Sequence, residues 1–403
     1  MVSLLKNNFN FSQKLILLLL FLGSMNVGDL YSYFIFFAFI IYVIANHNSI
    51  KLDGLFFVLL LVSACYLIFY PLARYNLTTI IRQFTFPVCY LMGSNYIKHN
   101  DKTITRQRNE LIQTYTVFVT MAMGAYIHFL LNMFNNVDST SRNNVDIWTG
   151  GIISATGQAC MAVMATGVFA ALLFSERKPL IKVLALIGMI TVFAYNLVLA
   201  GRTLIILMIL LLAVAYVYSA KKAQIQRLGK VLIIPIIIGI IIYFIYSLNV
   251  FGVRDWIMDS NFYYRFNRMS FVDDARMNTR VIYISQMLRY PFGGGQMRRE
   301  IGGYAHELYL DAYNDVGMIG YLLLIGFVVS SAVRVLKLVF KTNYDNDFKL
   351  LVLCVYIATI VEFHLEPIIQ GVPWLFCAFC LFSGLIGSID FDSRNAQNNV
   401  EEV

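Results

Sequence analysis

The sequence predicts an all-α fold: a polytopic transmembrane bundle of about twelve helices, with one long extracytoplasmic loop that contains short helices. Three observations carry this. Hydrophobic residues make up 59% of the 403 and charged residues only 13%, whereas a soluble domain carries about 25% charged residues. The apolar residues come in runs close to the roughly twenty needed to cross a hydrocarbon core about 30 Å thick. Lysine and arginine gather in every second connection between those runs, the pattern of cytoplasmic loops.

In chain order, the first run, 15–28, follows Lys6 and Lys14 without a convincing small-residue cleavage site, so it is expected to be an uncleaved signal anchor. Further spans are expected at 30–46, 54–71, 78–96, 113–134, 151–174, 182–200, 203–219, 231–250, 313–338, 348–368 and 372–389. Lys51, the group Lys98 to Arg108, the group Arg177 to Lys182, the group Lys221 to Lys230, and Lys337 with Lys341 occupy alternate connections. The positive-inside rule therefore puts both termini in the cytoplasm and leaves 135–150, the turn at Gly201 and the segment 251–312 outside. The chain divides into transmembrane helices over 1–250, the extracytoplasmic loop 251–312, further transmembrane helices over 313–389 and a polar cytoplasmic tail, 390–403. No internal repeat or low-complexity tract interrupts this plan.

The formal net charge of +8 is read first as topology. It is scattered between spans and forms no basic stripe, which argues against a nucleic-acid partner. The six cysteines all fall inside apolar runs, so free, buried thiols are expected. The spacing Cys377-Ala378-Phe379-Cys380 lies mid-span without polar flanks and is better explained as packing than as a metal or redox motif.

The exceptions to the charge rule point to chemistry. Arg82 falls near the external end of the fourth span, where it should face a polar cavity or a partner, or snorkel to the interface. Arg202 sits in the tight connection Ala200-Gly201-Arg202, which suits either an interfacial anchor or a lipid head group. Arg276 and Arg280 are four apart, so on a helix they share one face. That helix should end before Pro291, and Gly293-Gly294-Gly295 must form a turn, whether only to reverse the chain or to let backbone N–H groups approach a phosphate. His306 follows just before the next span, whose Gly317 and Gly320 permit close helix contact.

From about residue 197 to 327 the chain resembles the O-antigen ligase and polysaccharide polymerase family of bacterial membrane glycosyltransferases. That family has a span-end arginine after a small residue, matched by Gly201-Arg202. An arginine then opens a helix that closes in a proline and glycines, matched from Arg280 to Tyr290-Pro291-Phe292-Gly293-Gly294. A His-Asn pair precedes a glycine-containing span, matched by His306 and by Gly317 and Gly320, except that Glu307 stands where the family has Asn.

The resemblance implies a metal-independent, cofactor-free, inverting glycosyl transfer at the outer face of the bacterial plasma membrane. The donor would be an undecaprenyl-diphosphate-linked oligosaccharide, the acceptor a second glycan, and the further partners a chain-length regulator and a flippase. His306 is then the expected general base, with Glu307 as its rival and Glu362, His364 and Glu366 as weaker ones. Arg202 and Arg280, with Arg276 and Arg82 second, are expected to hold the diphosphate. Polymerisation of capsule, O-antigen or exopolysaccharide repeats is the first reading. Ligation of finished polymer to lipid A core is the second, and transport of a lipid-linked sugar the third; the absence of a sequence repeat weighs against transport.

Overall fold

The computed structural model describes residues 9–47, 50–73, 77–96, 104–136, 143–220, 243–259, 263, 275–342 and 344–389. The first half holds α1 (Phe11–Ser24), α2 (Tyr31–Asn46), α3 (Gly54–Ala73), α4 (Leu77–Gln83), α5 (Thr85–Ser94) and α6 (Ile104–Asn135). A hairpin of β1 (Asn143–Val145) and β2 (Ile152–Ser154) leads into α7 (Ala155–Phe174), α8 (Pro179–Leu199) and α9 (Arg202–Ala220). The long polar segment contributes α10 (Val253–Met258), α11 (Ala275–Gln286) and α12 (Gln296–Ile301). The chain then re-enters the bundle as α13 (Leu308–Lys341), α14 (Asn346–Phe363), α15 (Ile368–Gly371) and α16 (Pro373–Gly387).

Five of the described helices, within α6, α7, α8, α9 and α13, are long and apolar enough to cross a membrane. Four shorter apolar helices, α1, α2, α16 and most of α3, lie beside them. The expected span 78–96 is not one helix. Pro87 has no N–H to give the carbonyl of Gln83, and that carbonyl instead accepts from Ser63 Oγ at 3.0 Å, so the span parts into α4 and α5. The expected start of the sixth span at 151 is also displaced. Residues 152–154 pair with β1, and Ser154 caps α7 by accepting from the N–H of Gly157. Most of the expected ninth span, 231–242, lies outside the described residues.

The core is organised around α16, whose residues from Trp374 to Ile386 are all buried, as expected of a helix apolar on every side. It packs against α5, and facing glycines set the separation. A Cβ on Gly93 would stand 2.2 Å from the carbonyl oxygen of Leu381, and one on Gly384 would stand 2.3 Å from that of Tyr90. Gly167 brings α7 equally close to α14, its Cβ position lying 2.8 Å from Val355 Cα. All six cysteines are free and buried, and Cys377 lies 3.1 Å from Thr85 Oγ1 in the α5–α16 seam.

Cross-chain contacts determine which helix ends lie together. Cys160, near the start of α7, donates to Glu362, near the end of α14, at 3.0 Å. Thr85 at the start of α5 meets Cys377 near the start of α16, so those two helices run parallel. Arg276 and Arg280 of α11 reach the turn after α14. With short connections between α7 and α8, between α8 and α9 and between α13 and α14, one end of the bundle collects Arg82, Arg202, α11, His306 and residues 364–366. We call it the upper end. Lys51, Arg177, Lys178 and Lys337 fall toward the lower end, in keeping with the alternation of charge along the sequence.

The hairpin at the upper end has its own polar anchor. Asp146 accepts the N–H groups of Trp148 and Thr149, each at 2.9 Å, while its other oxygen faces His128 Nε2 at 2.9 Å and Asn132 at 3.3 Å. Burial pushes its carboxyl up, but the N–H of Thr149, the His128 side chain and the N–H of Trp148 outweigh burial and hold it below its ordinary range.

Candidate functional site

The upper-end segment owes its shape to glycine. Gly293, Gly294 and Gly295 all have positive φ, at 69°, 70° and 68°, and Gly317 breaks α13 with φ 70° and ψ −170°. The two irregularities interlock. Gly294 and Gly295 donate to the carbonyls of Asp315 and Asn314 at 3.1 and 2.7 Å, and Met318 N–H donates to Pro291 at 2.8 Å. A Cβ on Gly293 would lie 2.4 Å from Gly317 N, and one on Gly317 would lie 2.5 Å from Pro291 O. Of the two expectations for the glycine run, this is the packing turn: the N–H groups of Gly294 and Gly295 are spent on α13. Beneath it Tyr283, Tyr290, Met297, Ala305, Leu310 and Tyr313 form a small apolar core of their own. Tyr283 donates to Gly303 O at 2.7 Å and Tyr313 to Met287 O at 2.5 Å.

That framework presents His306. Its φ of 55° places a non-glycine residue in the left-handed region, where an L side chain costs roughly 1–2 kcal/mol. The turn is held from both sides. Asp311, fully buried, accepts the N–H of Ala305 at 2.9 Å and that of Glu307 at 3.1 Å, one on each oxygen. From the opposite side Arg280 donates Nε to Ala305 O at 3.2 Å and Nη2 to His306 O at 2.6 Å, and the same Nη2 reaches His364 O at 2.8 Å. Asn26, Asp29, Ala200, Asn249 and Phe251 also have positive φ; what sets His306 apart is an ionisable side chain on a turn clamped from both sides.

The sequence placed Arg276 and Arg280 on one face, and they share it: both guanidiniums meet residues 364–366. Arg276 donates to Glu366 Oε1 at 2.9 Å and to Leu365 O at 3.3 Å. The second oxygen of Glu366, itself only 5% exposed, lies 3.8 Å from His306 Nδ1, a nitrogen that is buried without a hydrogen-bond partner. His306 is otherwise about one-third exposed, its side chain at 36%. Glu307 faces His364 Nδ1 at 3.2 Å. The result is an alternating array of Arg276, Glu366, His306, Arg280, Glu307 and His364 at the upper helix ends.

The structure separates the four arginines. Arg280 and Arg276 belong to the His306 array, and Arg276 is paired with Glu366. Arg82 is at the same end of the bundle but meets other groups: its Nη2 lies 3.1 Å from Asp29 Oδ2, and its guanidinium lies over the Tyr31 ring at 5.6 Å. Arg202 is the first residue of α9, set by the left-handed Ala200 (φ 55°) that closes α8 and by Gly201, whose N–H donates to Asn196 O at 2.8 Å. Since α9 packs on α7 and α14, Arg202 stands at the upper end of that group of helices.

Searched against protein-family models and curated proteins, the chain matches none. No group of three or more potential metal ligands occurs among the described residues. What the array offers is a partly open imidazole on a strained backbone, backed by the buried Glu366 carboxylate, with the Arg276 guanidinium on that carboxylate and the Arg280 guanidinium on the His306 carbonyl.

Four contributors had weak or no signal in the sequence. Glu366 and His364 were legible only as weaker candidate bases closing an apolar run; Glu366 faces His306 and His364 faces Glu307. Asp311 gave none, since its role as the clamp of the 305–307 turn depends on the fold. The same holds for Asp315, which accepts from Gln370 at 2.6 Å and lies 4.0 Å from Arg298, tying α13 to α12 and α15.

Proposed function

We propose that this protein is a membrane glycosyltransferase that joins undecaprenyl-diphosphate-linked oligosaccharide repeats into a bacterial surface polysaccharide. In this reading the twelve-span plan applies, both termini are cytoplasmic, and the upper end faces outward from the plasma membrane. The observation that carries it is the His306 turn, an imidazole kept in a costly backbone conformation by Arg280 and Asp311 at the helix ends.

The acceptor hydroxyl attacks the anomeric carbon of the donor glycan, and the bond from that carbon to the lipid diphosphate breaks with inversion. The hydroxyl proton passes to His306. With Nδ1 directed at Glu366, Nε2 is the nitrogen that receives it, and such base assistance contributes about 10²–10⁴-fold. Negative charge grows on the departing diphosphate, where fixed guanidiniums near a low-dielectric surface stabilise it. Arg280 has Nη1 left for this after its three carbonyl contacts, and Arg202 stands at the same end. Arg276 acts through Glu366. Glu307, engaged with His364, is the weaker base.

The test is a His306→Ala strain, examined for surface glycan and for lipid-linked intermediates. Single repeats accumulating on the outer face are the expected result. Completed polymer still attached to lipid would instead identify a ligase. Wild-type glycan, or intermediates held on the cytoplasmic face, would overturn the enzymatic role of His306.

A further inference from the structure

The helix that carries Arg276 and Arg280 has a second face that meets no partner among the described residues. Met277, Val281, Ile284 and Leu288 are all more than half exposed, Leu288 at 82%, and Phe292 beyond them is 68% exposed. At 100° per residue Met277, Val281 and Ile284 fall within an arc of about 60°, and Leu288 follows in the 3-10 turn Met287–Arg289 that closes the helix. Asn278, Ser285 and Arg289 flank this stripe on one side; the arginine face, with buried Tyr283, flanks it on the other. An exposed stripe of this kind, on a helix whose adjacent face is packed, needs an apolar neighbour.

The level of the stripe identifies that neighbour. On α13 the outward-facing apolar residues begin at Ile319 and run through Leu322, Val329, Val333 and Leu336 to Phe340. At 1.5 Å per residue that stretch is about 32 Å long, the thickness of a hydrocarbon core. The boundary of the core at the upper end therefore falls near Ile319. The backbone of Phe292 packs directly against Gly317, whose Cβ position lies 2.8 Å from Phe292 Cα, two residues above that boundary. The stripe on α11 thus continues the apolar belt of α13 from the level where the belt ends.

We propose that α11 is an interfacial helix: the face formed by Met277, Val281, Ile284, Leu288 and Phe292 lies in the headgroup–acyl boundary of the bilayer. The neighbouring face then holds Arg276 and Arg280 at the depth of lipid phosphates. This placement stands on the fold alone, whatever chemistry His306 performs.

The test uses the full chain in nanodiscs of phosphatidylethanolamine and phosphatidylglycerol. Single nitroxides are placed by Met277→Cys, Val281→Cys, Ile284→Cys and Leu288→Cys, with Asn278→Cys and Ser285→Cys as references. The six native cysteines are buried and leave the introduced thiols as the reactive ones. The four stripe positions should collide with oxygen, relative to a water-soluble nickel chelate, several-fold more often than the two references. Val281→Trp should be quenched by lipid brominated on its acyl chains. Equal collision ratios at all six positions would mean that the face meets water, and immobilised, spin-coupled spectra would mean that it meets a second copy. Either result overturns the proposal.

Discussion

At the residue scale the candidate site rests on a histidine where a glycine would be easier. The left-handed backbone of His306 is maintained by the two oxygens of Asp311, which accept the N–H groups of Ala305 and Glu307, and by the guanidinium of Arg280, which binds the carbonyls of Ala305, His306 and His364. His306→Gly should remove that backbone strain and raise the thermal midpoint in detergent, by an amount equivalent to about 1 kcal/mol, while abolishing the proposed glycan transfer. A lower midpoint would show that the side chain contributes more to stability than its backbone costs. Asp146 offers a pH test of a different anchor. Its folded-state carboxyl titrates below its ordinary range, so the stability it contributes is present above about pH 4 and lost as pH falls further. Hydrogen exchange over 143–154 should accelerate on acidification through that window, and Asp146→Asn should remove this pH dependence.

At the element scale, the arrangement of the upper end depends on the break in α13. A helix uninterrupted from Leu308 to Lys341 would satisfy its own carbonyls and leave nothing for the glycine run to bind. With Gly317 in an extended, positive-φ conformation, the carbonyls of Asn314 and Asp315 turn outward and accept from Gly295 and Gly294. Gly293→Ala adds a methyl group 2.4 Å from Gly317 N at a φ of +69°. It should lower the thermal midpoint clearly and reduce transfer, since it separates the His306 turn from α13. Gly303→Ala, whose methyl meets nothing within 4 Å, should leave both unchanged. Equal effects of the two substitutions would exclude the interlock as the organising contact. The periodicity of 275–286 announced a helix, and Pro291 with its glycines announced a stop. The partner of that turn lay 24 residues away, and no local pattern in the sequence points to it.

At the scale of the whole molecule, topology and charge agree within the described residues. Thr149 lies in the upper-end hairpin and Glu176 in a lower-end connection, and both are exposed. In intact cells, Thr149→Cys should react with a membrane-impermeant maleimide and Glu176→Cys should react only after permeabilisation. The reverse pattern would invert the orientation and place His306 in the cytoplasm, where the proposed donor is not polymerised. The mechanism therefore depends on this labelling as much as on any substitution at the site.

The sequence by itself determined that this is a bundle of apolar helices with its charge alternating between the two ends. That much follows from composition and run length, because membrane lipid imposes both locally. It also showed that Arg276 and Arg280 share a helix face and that the helix stops before Pro291, which follow from helical geometry and from the chemistry of proline. Only the tertiary structure decided what those arginines meet. Arg280 grips the His306 turn, Arg276 pairs with Glu366 from a helix end about ninety residues later, and Arg82 turns to Asp29. Ion pairs and carbonyl contacts of this kind depend on which helix ends become neighbours, and that is set by packing such as the glycine seams between α5 and α16.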